Sequence, residues 1–274
     1  MSTSPKPARR HQHHPGVHAR TVHDTALHLD ITAGFHPAAP FSLPRRNRPY
    51  LEAVDRPPRR LRIGVNRTLG IADPEPSIVD ALDTAVDTLR HLGHHIIDDH
   101  TPHPGAETFP EVIALRQQVL AHNRFMNVTE ELTTHRDHLE PWFAALLDRG
   151  RSVTTTDLAR YWRYRGQLDH WAAELFERYD LLLTPTTPTT AWPADGPDIR
   201  AAAQRRTIPI AYTAAFNDIG NPAISIPIEI SPEGLPCAIQ LVAPHHHDDR
   251  LLATAATIER AIGHLQPDLA AGTD

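Results

Sequence analysis

The sequence predicts an α/β domain, a mixed β-sheet flanked by helices, and three observations carry that expectation. Pro222 to Ile230 and Pro236 to Val242 are apolar runs, the first with isoleucine at positions 224, 226, 228 and 230. Between them Ser231-Pro232-Glu233-Gly234 has proline second and glycine fourth, a composition that favours a type I turn and so makes the two runs antiparallel neighbours. Leu61 to Val65 and His95 to Asp98 flank a helical pattern, which reads as a strand-helix-strand unit with parallel strands and a right-handed crossover. Finally, both hairpin runs are apolar at successive residues, a pattern that predicts strands covered on both faces in the middle of a sheet.

The elements follow in order. Residues 1–14 mix proline, arginine and histidine without periodicity and read as a disordered tail; a domain spans 15–264, and 265–274 is a second, flexible tail. Thr21 with Asp24 resembles a capping box, and Val22, Ala26, Leu29 and Ala33 keep helical spacing until Gly34. Prolines and arginines dominate 35–60, an irregular surface connection. After the Leu61–Val65 strand, Asp73 is the expected N-cap of a helix with Pro74 at its first position. Ile78, Leu82, Val86 and Leu89 form that helix's apolar face, and Gly93 ends it. The loop before it holds only Gly70, which rejects a dinucleotide-binding turn. Residues 107–179 are mostly helical. Leu158, Tyr161, Trp162, Leu168, Trp171, Leu175 and Tyr179 recur at helical spacing and read as a core-facing stripe rather than a stacking platform. Tyr179 to Pro185 is a strand, 199–216 holds one or two short helices interrupted at Pro209, and Asp248 caps a closing helix that Gly263 ends.

Composition narrows the function classes. With 274 residues, 40% of them hydrophobic, the chain can bury a substantial core. A net charge of −6 with arginines scattered along the chain argues against a nucleic-acid surface. No apolar run approaches the roughly 20 residues of a membrane span, and the N-terminus lacks a signal-peptide core, so a cytoplasmic protein is expected. The single cysteine, Cys237, lies in an apolar strand and reads as an inert buried thiol.

The string Thr213, Phe216-Asn217, Gly220, Pro222-Ala223, Ser225, Pro227, Gly234-Leu235-Pro236 and Gln240-Leu241-Val242 resembles the C-terminal hallmark of the amidase signature family. Tyr179 to Thr186 looks like that family's strand leading to the substrate pocket, Leu61 to Val65 like a parallel strand, and Ala19 to Val22 with Asp24 like the segment downstream of its nucleophile. The resemblance covers about residues 15 to 264 in the family's order. It implies an amidase-signature-like sheet whose N-terminal part is missing, and hydrolysis of amide carbon-nitrogen bonds without a metal or organic cofactor. In the family that chemistry rests on two serines, within a Gly/Ser-rich segment, and a lysine. This chain has no Gly-Gly-Ser-Ser string, and its sole lysine, Lys6, sits in the N-terminal tail.

No catalytic set assembles from the residues themselves. Ser225 lies in an apolar strand without the Gly-x-Ser-x-Gly elbow, and an exposed lysine is protonated at neutral pH. Of 20 histidines, His91, His94 and His95 and the run His245 to His247 have metal-like spacings. Gly93 interrupts the first group and consecutive strand residues face opposite ways, so no metal site is assigned. Four residues are candidates for a substrate pocket. Thr186 and Trp192 belong to a stiff proline-rich loop at a strand end, where locally bonded threonines are the competing reading. Thr213 and Asn217 are carried by the resemblance; beside Gly220, Asn217 reads as a residue bonding local backbone. Two functions follow as expectations. One is an amidase-family protein, inactive alone, whose small-molecule amide is turned over only when the missing region completes the site. The other is a non-catalytic remnant that binds a ligand or partner and self-associates through uncovered apolar surface.

Overall fold

The computed structural model describes residues 16–37, 42–44, 46–126, 134–194, 196, 198–263 and 265. The expected tails, 1–14 and nearly all of 265–274, lie outside those residues. The described chain forms α1 (Val22–Thr32), α2 (Tyr50–Val54), β1 (Arg62–Val65), α3 (Pro76–His91), β2 (His95–Asp98), α4 (Phe109–Met126), α5 (Pro141–Arg151), α6 (Thr155–Arg178) and β3 (Leu181–Pro185). α7 (Ile199–Gln204), α8 (Ala214–Ile219), β4 (Ala223–Ile230), β5 (Pro236–Val242) and α9 (Asp248–Ile262) complete it.

The strands make one five-stranded sheet in the order β2-β1-β3-β5-β4. β1 pairs in parallel with β2 and β3, whereas β5 runs antiparallel to β3 and β4, so the sheet is mixed as expected. The turn is closed by the Ser231 amide donating to the Leu235 carbonyl at 2.8 Å and the Gly234 amide to the Ser231 carbonyl at 2.9 Å. Gly234 has φ of +80°, a conformation that glycine enters without a Cβ penalty.

Central placement of both hairpin strands does not hold. Among the described strands β5 is central and buried on both faces, but β4 lies at the edge: Ile226 and Ile228 are buried while Ala223, Ser225 and Pro227 are exposed. The pairing jumps between Pro227 and Glu229, and a proline that cannot donate to a ladder is at home on such an edge.

The helix after β1 starts later than expected. Asp73-Pro74-Glu75-Pro76 offers two acidic-proline pairs, and the second is used: Glu75 is the N-cap and Pro76 begins the helix. The α region is disfavoured for a residue before a proline. The Asp73 amide donates to the Arg206 carbonyl at 3.0 Å and the Glu75 amide to the Pro188 carbonyl at 2.9 Å, which holds this stretch extended. The closing helix is capped by His247 rather than Asp248, which occupies its first turn, where a carboxylate complements the helix dipole.

Two apolar cores lie on opposite faces of the sheet. On one, Ile63, Leu183, Ile239 and Ile226 meet Val22 of α1, Ile78 and Leu82 of α3 and Leu251 of α9. On the other, Leu182 and Val242 meet Ile113 of α4, Leu168 and Leu175 of α6 and Phe216 of α8. Helix α6 opens with a complete capping box between Thr154 and Asp157. Its apolar stripe is narrower than the sequence predicts: Tyr161, Leu168, Trp171 and Leu175 are buried but Trp162 is 52% exposed. Helices α4 and α5 cross at Gly150, where an added Cβ would lie 2.3 Å from the Ala121 carbonyl oxygen. Among the described residues no helix is long and apolar enough to cross a membrane.

Candidate functional site

The exposed side of β4 forms one wall of an open trough of ≈ 950 Å³. Segment 16–22, α1, α8, α9, Arg116 of α4, Gln240 of β5 and the His245–His246 stretch are among the rest of the lining. Because side chains alternate along a strand, Ala223, Ser225 and Pro227 are exposed on this wall, while Ile224 and Ile226 pack against the apolar core and only border the trough.

A polar row crosses the sheet beside this wall. Thr184 of β3 is in register with Gln240 of β5, and Gln240 with Ser225 of β4. Gln240 is buried, and its Nε2 donates to Thr184 Oγ1 at 3.1 Å and to the Tyr212 carbonyl at 3.0 Å. Tyr212 is itself anchored by donating from its hydroxyl to the Arg67 carbonyl at 2.7 Å. Ser225 Oγ lies 2.9 Å from Thr186 Oγ1. The segment that carries Thr213 toward the trough is therefore pinned to the middle of the sheet by a buried amide.

Thr213 is half-buried at the start of α8, and Asn217, one turn on, is exposed; both line the trough. Thr186 reaches it through Ser225, whereas Trp192, 45% exposed, is not among the lining residues. The asparagine that bonds backbone beside Gly220 is not the one expected, and its partner is distant in sequence. The Asn217 side chain makes no hydrogen bond among the described residues, while Nδ2 of Asn221, on the far side of Gly220, donates to the Ala243 carbonyl at 2.9 Å. Gly220, at φ of +79°, ends α8 and turns the chain from the trough floor into β4.

Beneath α8 lies an ion pair that the sequence reading missed. Asp218 is almost fully buried and accepts from Arg116 Nε at 2.9 Å on each carboxylate oxygen. Burial pushes the Asp218 carboxyl above its usual range, with Arg116 opposing that shift. Gln240 carried one legible signal, a polar residue inside an otherwise apolar strand, whereas Asp218 follows another polar residue, Asn217, and carried none. Ser225 was legible too, but its position in an apolar run argued against exposure.

His103 is the other buried titratable group on this face. Its Nδ1 accepts from the Gly105 amide at 3.0 Å, its Nε2 lies 3.0 Å from the Tyr164 hydroxyl, and Phe109, Tyr164 and Trp171 surround the ring. Burial pushes the imidazole down to about 4, so it is neutral at pH 7. Among the described residues no group of three His, Cys, Asp or Glu side chains is placed to hold a metal ion. His245 and His246 sit at the trough rim with ring centroids 6.1 Å apart.

A family model described as Amidase matches residues 3–252. The chain is similar to the 6-aminohexanoate-cyclic-dimer hydrolase of Pseudomonas sp. (strain NK87), 30% identical over 272 residues, covering 91% of this chain and 54% of the relative. It is also similar to an amidase of Pseudomonas putida, 30% identical over 243 residues, covering 84% of this chain and 49% of the relative. Among solved structures, a 6-aminohexanoate cyclic dimer hydrolase complexed with substrate aligns with a TM-score of 0.71 at 28% identity, over 92% of this chain and 56% of that one. A bacterial aryl acylamidase of the amidase signature enzymes shares the fold with a TM-score of 0.76 at 21% identity, over 93% of this chain and 55% of that one. The chain thus spans about half the length of the relatives it matches.

Proposed function

The chain belongs to the amidase family, and from that premise we propose that residues 1–274 form the substrate-side wall of an amide-hydrolysing site without themselves carrying its nucleophile. The observation that carries this reading is the trough. Thr213, Asn217 and Ser225 face it, and the buried Gln240 bonds Thr184 and the Tyr212 carbonyl to hold the wall in place. Amide hydrolysis needs an activated nucleophile and donors aimed at the developing oxyanion. Ser225 is bonded to a threonine hydroxyl rather than to a base, and Lys6 is the only lysine in the sequence.

The wall therefore binds and orients while the bond-breaking groups come from elsewhere in the complete site. The relatives' names direct the test toward small amides, the cyclic dimer of 6-aminohexanoate among them. Incubation of residues 1–274 with that dimer and with simple primary amides, followed by amine and ammonia release, is expected to show no turnover. Hydrolysis that persists in Lys6→Ala and Ser225→Ala would sink this reading; loss in either variant would name the nucleophile or base.

A second reading rests on the β4 edge. Ala223, Ser225 and Pro227 lie exposed along a strand with one described neighbour, a surface that suits a binding partner or a second copy of the chain. Light scattering across a concentration series separates the two. A monomer with one cooperative melt goes against self-association, and a stable oligomer favours it.

A further inference from the structure

The Arg116–Asp218 pair is not accounted for by wall-building alone. A bidentate arginine–carboxylate pair, end-on or side-on, uses two donors for two oxygens. Here both Asp218 oxygens are bonded to Nε of Arg116, each at 2.9 Å. No further partner bonds Arg116 among the described residues, and its terminal nitrogens are not among the buried atoms that lack one. Arg116 lines the trough although its side chain is only 11% exposed, so what it shows there is a small and fixed surface. Arg165 adds a second positive charge within range of Asp218, with its Nε buried and unbonded and its guanidinium carbon 5.2 Å from the centre of the Trp162 ring. Two guanidinium groups against one carboxylate leave this corner with a net positive charge.

We propose that Arg116, braced from below by Asp218, is a specificity-determining residue that takes a carboxylate in the trough, so that the favoured ligands are amides carrying a free carboxylate in the same molecule. This rests on reading the trough as a substrate pocket. A partly buried, preoriented guanidinium is well suited to the task. Its donors are already directed and only weakly hydrated, so little ordering is lost when an anion binds. Asp218 lies behind Arg116 rather than in its path. It sets the orientation, and it is the reason a lysine would not serve here.

The test uses the full chain at pH 8, where free imidazoles are neutral, with hexanoate and its uncharged counterpart hexanamide as probes and backbone-amide NMR shifts as readout. Hexanoate is expected to bind at least about tenfold more tightly than hexanamide, the size of one charge-assisted hydrogen bond, with shifts at Thr213, Asn217 and the residues around Asp218. Arg116→Gln alone strands a buried carboxylate and can fail to fold. The double variant Arg116→Gln with Asp218→Asn keeps a neutral hydrogen-bonding pair and is expected to bind both probes equally. Arg20→Gln, which removes another trough cation, is expected to keep the preference for hexanoate. Equal binding of the two probes by the unaltered chain, or a preference that survives the double variant or disappears with Arg20, overturns the role of Arg116 and leaves the pocket standing. Absence of any shift in the trough with either probe overturns both.

Discussion

One face of the sheet presents Ile63, Leu183, Ile239 and Ile226 to α1, α3 and α9, while the other presents Leu182, Thr184, Gln240 and Ser225 towards α6, α8 and the trough. The same strands make both faces, with alternate residues assigned to each. On the first, the buried polar groups of α9 are satisfied without leaving the helix: Thr254 and Thr257 donate to the Arg250 and Thr254 carbonyls. On the second, polar groups bond between elements, from Gln240 to Tyr212, from Arg116 to Asp218 and from His103 to Tyr164. A buried polar group is tolerable only when its partner is placed to within a few tenths of an ångström. The second face thus fixes where trough-side residues stand, while on the first the buried threonines of α9 tie no element to another and the bonds between elements, such as Val22 to Glu259, lie elsewhere.

That contrast can be broken in several ways. The largest effect is expected on the apolar face, where Leu241→Ala opens a cavity at a fully buried position and costs about 2–5 kcal/mol. Urea unfolding measures it, and a loss below about 1 kcal/mol would mean that this face repacks freely.

The polar face should instead respond to pH. His103 is held at about 4 when folded, against about 6.5 for a free imidazole. Its contribution is complete above pH 6.5 and is lost as pH falls towards 4, because in that window the unfolded chain binds the proton more readily. The full loss is about 3 kcal/mol. Urea midpoints at pH 7.5, 6 and 5 should fall more steeply for the parent chain than for His103→Gln, and parallel slopes would count against a neutral buried ring.

Gln240→Leu preserves volume but leaves the Tyr212 carbonyl without its donor, for a cost of about 1–3 kcal/mol. It should also loosen the segment before α8, which amide exchange at Thr213 and Ala214 would register; unchanged exchange there would detach the polar row from the trough. The smallest effect is expected at Ser225→Ala. This residue is exposed on the β4 edge, its one side-chain partner among the described residues is Thr186, and a change within about 0.5 kcal/mol is typical of such surface sites. A loss as large as that at Gln240 would place Ser225 inside the network rather than at its margin.

Most of the fold was legible in the sequence because the signals were local. Isoleucines at alternate positions of β4, the 3.6-residue pattern of α3, the glycines at positions 93, 220 and 263 and the Ser231–Gly234 turn each act over a few residues, and each is found where expected. The order of known amidase strings was equally local. What was not legible depends on neighbours. The runs of β4 and β5 are equally apolar, yet one is an edge and the other central, because only assembly decides which strand receives a second partner. Trp162 and Tyr161 are adjacent on α6, and only the packing of that helix decided which of them is buried.

The pairing of Arg116 with Asp218, 102 residues apart, follows the same rule. Each residue separately looks like ordinary surface charge. The sequence by itself determined the elements, their turns and the family to which they belong, because dihedral preference and hydrophobic period are written into short stretches of chain. Tertiary structure alone decided which polar residues face the trough, because a buried charge is stable only beside the partner that folding brings to it.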